Sequence, residues 1–540
     1  MLLCFVVVVF LVTVPANAQK DTLCEMAPIN QSFVEHMSGY PKGSSMKEQS
    51  GGVLGYIPSP VDRSHLQVSK RLLLSYPAVY DLRVTGRLSP VRNQGDCGSC
   101  WAFATYASLE SYLLPAEVHD FSENHLKNTH GFVWEHNKGG NATISTAYLV
   151  RWGGPVSEAD DPYDPDSGVS PEGPLPLRKL VPEVIYLPNR SVGENPNWLK
   201  QAIVEGGAVY TSMYWNDQGD YWNEATNSYY DYSLYGNKPN HAVTIVGWDD
   251  NYSRGKFKLC PFSEGAFIVR NNWGDKWGQD GYFYVSYDDM SFACEENILF
   301  HSAVVPNYYN RIYQYDPLGH VASLGYTDRT TCWGANIFEA FSEESVVAVG
   351  LYALDNNTSY TIKVYTDVDA GEPSSGILKL SDSGIISHAG YHTVNLSTPV
   401  DLECGQYFSV VVKFTTPNYT YPLAMEMPVA GFADATAGPG ESFHSDDGDN
   451  WRDFSTNFKD ANACIKALTV YDFMLGDING DSRIDVSDAI LILRNIVGLT
   501  ELGLSQMSAA DVNGDSRIDV SDAILVLRYI VGLISEFPEG

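Results

Sequence analysis

The chain has 540 residues, of which 34 are Lys or Arg and 66 are Asp or Glu, giving a formal net charge of −32. A surface this acidic repels phosphate backbones and anionic lipids, so we exclude nucleic acid and membrane surfaces as partners. The length predicts about three or four domains, and 46 Gly with 28 Pro at a hydrophobic fraction of 44% is typical of globular, loop-rich material.

The first segment is an apolar run, residues 2–14, followed by Pro-Ala-Asn-Ala. This pattern predicts a signal peptide over residues 1–18 and a secreted, extracellular protein. A membrane anchor or an ordinary apolar terminus is the alternative, but the run is too short to span a bilayer, and we expect no membrane span after cleavage. Residues 19–75 are polar and turn-rich without a sustained helical period. We interpret residues 19–75 as a leader, a propeptide-like arm that covers the next domain.

A Cys-containing stretch at residues 94–103 is the most informative part of the sequence. A thiol attacks a carbonyl only as a thiolate, and the N-terminus of a helix lowers the pKa that controls this ionisation. The residues that follow Cys100 are compatible with a helix through position 114, so Cys100 is the candidate nucleophile. A redox or zinc CxxC formed with Cys97 is the alternative, but no second CxxC accompanies it.

Groups that would assist a thiolate lie further along the chain. His241 opens a strand-like run and is suited to act as the base, although alone it would be interpreted as a structural histidine. Asn271 offers a side-chain carbonyl to orient the imidazole, and Trp273 can shield that bond from water. The side-chain amide of Gln94 and the backbone N–H of Cys100 offer two donors to an oxyanion.

The order Gln, Cys, His, Asn and the match of residues 97–101 to C-G-[SA]-C-[WY] resemble a papain-like (C1 family) cysteine peptidase. The resemblance implies an α+β peptidase domain, residues 76–302, that cleaves protein or peptide substrates without a catalytic cofactor. Within it we predict a helix after Cys100, a helix over residues 145–152, and strands at 242–248, 266–270 and 281–287. The resemblance implies these site residues: Gln94 (oxyanion hole), Cys100 (nucleophile), His241 (general acid/base), Asn271 (orientation of His241), and Gly139, Gly140 and Trp273 (substrate binding).

The sequence departs from the family at two points. Asn137 and Lys138 stand where the family's usual disulfide partner of Cys97 would lie, so the partner of Cys97 stays open. Cys260 and Cys294 flank the Asn271 region and are a candidate disulfide, whereas the pairing of Cys24, Cys332, Cys404 and Cys464 is left open. The leader also lacks the interspersed helical pattern of papain propeptides, so zymogen control is in doubt.

Residues 303–471 lose helical periodicity and gain strand-like alternation, as in residues 360–364. We predict a β-sandwich. Trp333, Tyr419, Tyr421 and Trp451 fall on apparent loops, where aromatic residues serve either as core or as a sugar platform. A β domain behind a papain-like domain resembles the lectin-like module of secreted prokaryotic C1 peptidases, which leaves a glycan as a candidate ligand.

The last segment, residues 472–540, contains an internal repeat: residues 477–499 recur 34 positions later as residues 511–533 with three differences. Each copy places oxygen ligands at positions 1, 3, 5, 7, 9 and 12 of a loop, the arrangement that a Ca²⁺ ion requires. The predicted ligands are Asp477, Asn479, Asp481, the Arg483 carbonyl, Asp485 and Asp488, and in the second loop Asp511, Asn513, Asp515, the Arg517 carbonyl, Asp519 and Asp522.

The two loops differ from EF-hands in detail. Ser482 and Ser516 replace the usual Gly, Asp488 and Asp522 replace the usual Glu, and we expect no entering helix before either loop. Each following helix carries one apolar stripe, which we expect to be buried against its neighbour. The stripe residues are Val486, Ile490, Leu493 and Val497, repeated in the second helix from Val520 to Val531.

Two such loops at the end of a secreted enzyme closely resemble a type I dockerin, a small all-α calcium-binding module. The resemblance implies two structural Ca²⁺ ions and a cohesin module on a scaffold as partner, as in cellulosome-type assemblies that degrade polysaccharides. Such a scaffold would hold the protein at the cell surface. Calcium that merely folds a tail is the alternative.

The sequence therefore indicates a multidomain, secreted, calcium-tethered thiol endopeptidase. The competing hypothesis is a catalytically silent, scaffold-docked binding or adhesion protein that uses the β domain for glycans. The presence of Gln94, Cys100, His241 and Asn271 together argues against it.

Overall fold

The computed structural model describes residues 23–39, 54–67, 75–194, 196–234, 236–471, 474–500, 502, 504–515 and 517–538. The predicted signal peptide, residues 1–18, lies outside the described residues. Within the described ranges, no helix has both the length and the apolar character needed to cross a membrane.

The leader contains a strand, β1 Cys24–Met26, and a helix, α1 Gln31–Gly39. This helix forms although the leader sequence shows no sustained helical period. Phe33 is the buried residue of this helix, and its ring meets that of Phe432 in the β domain at a centroid distance of 5.5 Å. A nine-residue helix held by a partner 399 positions away leaves little local period in the sequence, which explains why the pattern did not reveal it.

The peptidase domain packs helices against a mostly antiparallel sheet. Its helices are α2 Cys100–Leu113, α3 Glu123–Thr129, α4 Ala142–Val150 and α5 Asn197–Gly206. Its strands are β2 Val79–Asp81, β3 Glu183–Tyr186, β4 Val209–Met213, β5 Trp222–Asn223, β6 Ser228–Tyr229, β7 His241–Asp249, β8 Ala266–Arg270, β9 Tyr282–Ser286 and β10 Asn297–His301. The helix predicted over 145–152 is α4, which begins earlier because the Asn141 side chain caps it by accepting from Ile144 N.

The β domain is a layered, strand-rich unit, in agreement with the predicted sandwich. Its elements are β11 Arg311–Tyr313, β12 Ala322–Tyr326, β13 Thr331–Glu339, β14 Glu344–Ala353, β15 Thr358–Thr366, β16 Ile377–Ile386, β17 Gly390–Leu402, β18 Tyr407–Thr415, β19 Leu423–Glu426, β20 Ser442–Ser445, β21 Arg452–Asp453, a short helix α6 Phe454–Asn457, β22 Asn462–Ala463 and β23 Ile465–Val470. Ile362 and Val412 of the six-stranded sheet pack with Leu351 and Ile465 of the facing layer in one buried core.

One sheet runs through both large domains. Strand β3 of the peptidase domain pairs with β10 on one side and with β17 of the β domain on the other, with Tyr391 opposite Val184. Strand β1 of the leader pairs with β12 of the β domain. The two domains and the leader are therefore joined by backbone hydrogen bonds, a connection that alternation within single strands does not reveal.

The C-terminal unit is helical, with α7 Val486–Ile496, α8 Leu504–Ala510 and α9 Val520–Ile530. Helix α8 directly precedes the second predicted calcium loop, so the expectation of no entering helix is wrong for that loop. Ile492 and Val526, one from each repeat, are buried in a core shared with Leu502 and Ala509.

Candidate active site

Cys100 is the first residue of α2 and is fully buried. Small residues on the following turns allow this helix to approach the sheet closely. Ser108 Oγ accepts from Phe300 N at 3.2 Å, and Ser111 Oγ accepts from Ala208 N at 2.9 Å. The helix N-terminus that lowers a thiol pKa is thus fixed against the strands that carry the other candidate residues.

His241 and Asn271 meet where two neighbouring strands end. β7 begins at His241, β8 ends at Arg270, and the two strands are antiparallel, so Asn271 lies beside His241. A hydrogen bond of 2.9 Å joins His241 Nε2 and Asn271 Oδ1. The Trp273 ring stacks on the imidazole at a centroid distance of 4.8 Å and 21°. The imidazole is held in one orientation on two sides.

The nucleophile and the base are linked through the start of β7. Ala242 N–H donates to Cys100 Sγ at 3.4 Å. Asn272 Nδ2 donates to the carbonyls of Cys100 (3.1 Å) and Ala242 (3.2 Å). The Nδ1 atom of His241 is buried without a hydrogen-bond partner among the described residues. Asn272 was not predicted, although its place directly after Asn271 is a signal that could have suggested it.

Gln94 lies on the loop that leads to Cys100. Its Nε2 donates to the carbonyl of Cys97 at 2.7 Å, and its backbone N–H donates to the carbonyl of Asn272 at 2.8 Å. The side chain is fully buried. Gln94 is thereby fixed next to the turn that ends at Cys100, and its Nε2 carries a second proton besides the one that the Cys97 carbonyl accepts.

The leader passes through this site. Tyr56 forms a parallel backbone bridge with Gly140, in which Gly140 N donates to Gly55 O and Ile57 N donates to Gly140 O, both at 2.9 Å. Tyr56 N donates to Asn240 O at 3.2 Å. A Cβ on Gly55 would lie 2.2 Å from Gly98 O, and one on Gly139 would lie 2.6 Å from Gly55 O. The close approach therefore requires glycine both in the leader and in the peptidase domain.

Burial sets the ionisation of the two reacting groups in this leader-bound state. Burial raises the pKa of the Cys100 thiol to about 12, although the backbone amides of Ala242 and Gly55 act against it. Burial lowers the pKa of His241 to about 4, with the Asn271 hydrogen bond opposing the change. Both shifts favour the uncharged forms of the two groups, a thiol and a neutral imidazole, while the leader is bound.

The cysteines give one correction. All eight that the structure describes are free, so the candidate disulfide between Cys260 and Cys294 is wrong. Cys260 is exposed, whereas Cys294 is largely covered beside Arg190. Cys97 is buried with its thiol directed at the carbonyl of His136 (3.6 Å).

The four aromatic residues predicted on loops of the β domain fall into two groups. Trp333 lies within β13 and not on a loop, and it packs, like Trp451, against one buried cluster. The ammonium groups of Lys363 and Lys413 lie 5.3 and 5.5 Å from the centre of the Trp333 ring. Tyr419 stacks on His65 of the leader at 3.7 Å. Tyr421 contacts Tyr419 edge-on.

The first predicted calcium loop fixes its first and last carboxylates through backbone N–H groups. Asp477 accepts from Gly480, Asp481 and Ser482 N, and Asp488 accepts from Ile478, Asn479 and Asp485 N. Burial, and after it the charge of Asp488, raises the pKa of Asp477. Burial, and after it the charge of Asp511, raises the pKa of Asp522. Ser482 adopts φ 65°, the conformation for which EF-hands use glycine. In the part of the chain that the structure describes, no three His, Cys, Asp or Glu side chains converge as a metal-binding group. The fit to Ca²⁺ therefore rests on the oxygen chemistry of the donor set.

The second loop repeats this arrangement. Asp522 accepts from Val512 N and Asp519 N, and Asp511 accepts from Asp515 N. Asp485 and Asp519 differ from the other predicted ligands because each caps the following helix.

The apolar stripes of the dockerin-like helices point outward, which contradicts the expected burial. Val486 and Ile490 of α7 are 52% and 47% exposed, and Val520 and Ile524 of α9 are both 49% exposed. The core between the two helices is formed instead by residues that lie between the stripe positions, namely Ala489 and Ile492 of α7 and Ala523 and Val526 of α9. Two nearly identical apolar surfaces are thus left open to a partner.

Comparison with known proteins assigns each segment. Residues 76–301 match the family Papain family cysteine protease, residues 312–469 match Lectin like domain, and residues 475–531 match Dockerin type I domain. Residues 76–301 are therefore a papain-family cysteine protease domain, followed by a lectin-like domain and a type I dockerin domain. The predicted domain classes are confirmed. Type I dockerin domains bind calcium.

Individual relatives agree with this assignment. The structure of the cysteine protease and lectin-like domains of Cwp84, a surface layer associated protein of Clostridium difficile, matches with a TM-score of 0.70 at 25% identity over 83% of this chain and 98% of that chain. Cwp84 after propeptide cleavage matches with a TM-score of 0.64 at 27% identity over 73% and 99%. The similarity therefore extends across the peptidase and lectin-like domains together.

Curated sequences match the peptidase region. The viral cathepsin of Cydia pomonella granulosis virus is 30% identical over 40% of this chain and 59% of that protein. Cathepsin J of Mus musculus is 26% identical over 46% and 71%. The chain spans 59% of the length of the first of these relatives and 71% of the second.

Proposed function

We propose that the chain is the precursor of a secreted papain-like cysteine endopeptidase whose leader, residues 19–75, covers the active site. The observation that carries the proposal is the 2.9 Å bond between His241 and Asn271 on strands that also place Ala242 N–H against Cys100 Sγ. The domain boundaries that follow are 76–302 for the peptidase, 303–471 for the lectin-like domain and 472–540 for the dockerin.

The chemistry follows from these positions. His241 accepts the thiol proton, and Cys100 Sγ attacks the substrate carbonyl to form a tetrahedral intermediate. The Cys100 N–H and the Gln94 side-chain amide stabilise the oxyanion. His241 then protonates the leaving amine, and it deprotonates the water that hydrolyses the thioester. Asn271 keeps the imidazole in the orientation that both proton transfers need.

The dockerin attaches the enzyme to a cohesin module of a scaffold at the cell surface. Ca²⁺ held by the two loops would fix the start of each following helix, because its ligands Asp488 and Asp522 lie in the first turns of α7 and α9. The exposed stripes on these helices are apolar and nearly identical, so either helix is suited to the same partner surface.

Two variants of the processed enzyme test the catalytic assignment. Cys100→Ala removes the nucleophile and should reduce peptide hydrolysis by more than about a thousandfold. Asn271→Ala removes orientation only and should be milder. Residual activity of Cys100→Ala above about a thousandth of wild type would refute the assignment. Near-ultraviolet circular dichroism controls for folding.

A further inference from the structure

A lysine and two carboxylic acids meet in the interior of the lectin-like domain. Asp316 follows β11, Glu426 is the last residue of β19, and Lys466 lies on β23. The side chains of Lys466 and Asp316 are both 0% exposed, and Glu426 is also fully buried. Neither the proposed peptidase chemistry nor the proposed docking uses these three groups.

Lys466 is held against the carboxyl group of Asp316. Its Nζ lies 2.8 Å from Asp316 Oδ2. The same Nζ donates to Gln314 Oε1 at 2.8 Å and to the backbone carbonyl of Asp316 at 3.2 Å. Neither carboxyl oxygen of Asp316 has a partner with hydrogen-bond geometry among the described residues. Two other acceptors therefore fix the nitrogen beside the Asp316 carboxyl carbon.

Glu426 lies beside the same carboxyl group and can carry a proton. Its Oε2 accepts from Leu318 N at 2.5 Å, within the turn that begins at Asp316. Its Oε1 is buried without a hydrogen-bond partner in the part of the chain that the structure describes. Burial, and after it the charge of Asp316, raises the pKa of Glu426 to about 8. Glu426 therefore holds a proton at neutral pH.

The interior disfavours the charged forms of the Lys466 and Asp316 side chains. Removal of two charges from water is costly, and an ion pair offsets this cost only when further hydrogen bonds satisfy the carboxylate. Burial raises the pKa of Asp316, although the charge of Lys466 opposes it. These surroundings favour transfer of the ammonium proton to the carboxylate. The result is a neutral amine, which is nucleophilic, beside a neutral carboxylic acid.

We propose that Lys466 and Asp316 form an amide bond between their side chains, an intramolecular cross-link made inside the folded lectin-like domain. The lone pair of Lys466 Nζ attacks Asp316 Cγ to give a tetrahedral intermediate. Glu426 donates its proton to the departing oxygen and takes a proton from the nitrogen. One C–N bond forms, one C–O bond breaks and one water leaves. Glu426 ends in its starting protonation state, and the step needs no oxidant or other co-reactant.

The product suits both the site and the place of the domain in the chain. The amide is uncharged, and it keeps one N–H that can donate to Gln314 Oε1. The bond joins residues that are 150 positions apart and closes a ring that contains every strand from β12 to β22. Because the dockerin follows β23, a pull on the dockerin would pass from Lys466 to Asp316 without unfolding those strands.

The test is the intact mass of the denatured full chain, followed by peptide mapping. We expect the wild type to be lighter than its amino-acid sequence requires by one water, and to yield a branched peptide that contains both Asp316 and Lys466. Lys466→Arg keeps the positive charge but replaces the amine, so the loss of water should disappear. Glu426→Gln keeps both reacting groups but cannot relay a proton, so most chains should stay unlinked.

Glu344→Gln is the matched control, because Glu344 is a fully buried carboxylate of the same domain that pairs with Arg311. This variant should lose one water as the wild type does. A wild type with its full mass, and with Asp316 and Lys466 in separate peptides, would overturn the inference and leave an ordinary buried ion pair. Loss of water that persists in Lys466→Arg would also overturn it. The wild-type mass and map decide the matter even if a variant does not fold.

Discussion

Tyr56 of the leader and Gly140 of the peptidase domain are paired through their backbones beside Cys100. Gly140 uses both its N–H and its carbonyl in this contact, at 2.9 Å each. The same two groups are those expected to hold a substrate backbone. A bound leader and a bound substrate therefore exclude each other, and control of the enzyme reduces to the stability of this contact.

Gly55→Ala should loosen the leader without a change in the peptidase domain. A Cβ at this position would lie 2.2 Å from Gly98 O, so the leader must move away from Cys100. We expect the precursor's Cys100 to be alkylated at least about tenfold faster, the effect of ~1.4 kcal/mol. Gly39→Ala is the matched control, since no atom lies within 4 Å of its Cβ position. Equal rates of Cys100 alkylation in the Gly55→Ala and Gly39→Ala precursors would contradict the proposal that the leader covers Cys100 at Gly55.

Arg63→Ala should destabilise the precursor because it leaves Glu296, whose Oε1 accepts from Arg63 Nη1 at 3.0 Å, buried and unpaired. Loss of one partner of a buried ion pair costs about 3–5 kcal/mol. We expect this loss in the free energy of unfolding of the precursor. The processed enzyme no longer contains Arg63, so the enzymes obtained from the two precursors should be equally stable. Arg178→Ala, which breaks a pair between an exposed and a half-buried side chain (42% and 26% exposed), should cost at most about 1 kcal/mol. An Arg63→Ala precursor as stable as wild type would refute this role.

Acid should release the leader. In the leader-bound state the pKa of His241 is lowered to about 4 by burial, whereas the ordinary value is 6.5. Between these two values the buried imidazole takes up fewer protons than an imidazole of ordinary pKa, so leader binding weakens as the pH falls from 6.5 towards 4. Dissociation of a fluorescent leader from the processed complex measures this directly. Dissociation that is slower at pH 5 than at pH 7 would contradict it.

The peptidase site was predictable because each of its residues sits in a local motif. Cys100 at a helix start, His241 at a strand start and Asn271 at a strand end follow from short runs of sequence. The leader's course was not predictable, since Arg63 and Glu296 meet across 233 positions and neither stands in a motif. For the same reason the backbone pairing of Val184 with Tyr391, which joins the two large domains, left no signal in either strand.

The dockerin stripes show a different limit. The period of Val486, Ile490, Leu493 and Val497 identifies an apolar helix face but not what covers it. The structure buries the adjacent face, with Ala489 and Ile492, and leaves the stripe exposed. A short helix with apolar residues on two faces can be a core element and a docking surface at once.

Removal of calcium ligands should separate docking from catalysis. Asp477→Ala with Asp488→Ala removes the two carboxylates that organise the first loop and the start of α7. We expect cohesin binding to weaken strongly and cleavage of a small peptide to persist, because Cys100 lies in a different domain. Titration against a cohesin panel with calcium and with chelator, and a cleavage assay on the same samples, check both. Tight cohesin binding in chelator would refute the calcium requirement. Loss of peptide cleavage together with cohesin binding would refute the independence of the peptidase and dockerin domains.

The most direct test of the central claim is covalent labelling by an epoxysuccinyl thiol-protease inhibitor, with peptide mapping of the full chain before and after leader removal. The account predicts one adduct, on Cys100, formed rapidly in the processed enzyme and at least about tenfold more slowly in the precursor, where the leader covers the thiol. Labelling of Cys100 at the same rate in both forms would contradict coverage by the leader. Peptide hydrolysis that continues with Cys100 fully labelled would contradict its role as the nucleophile.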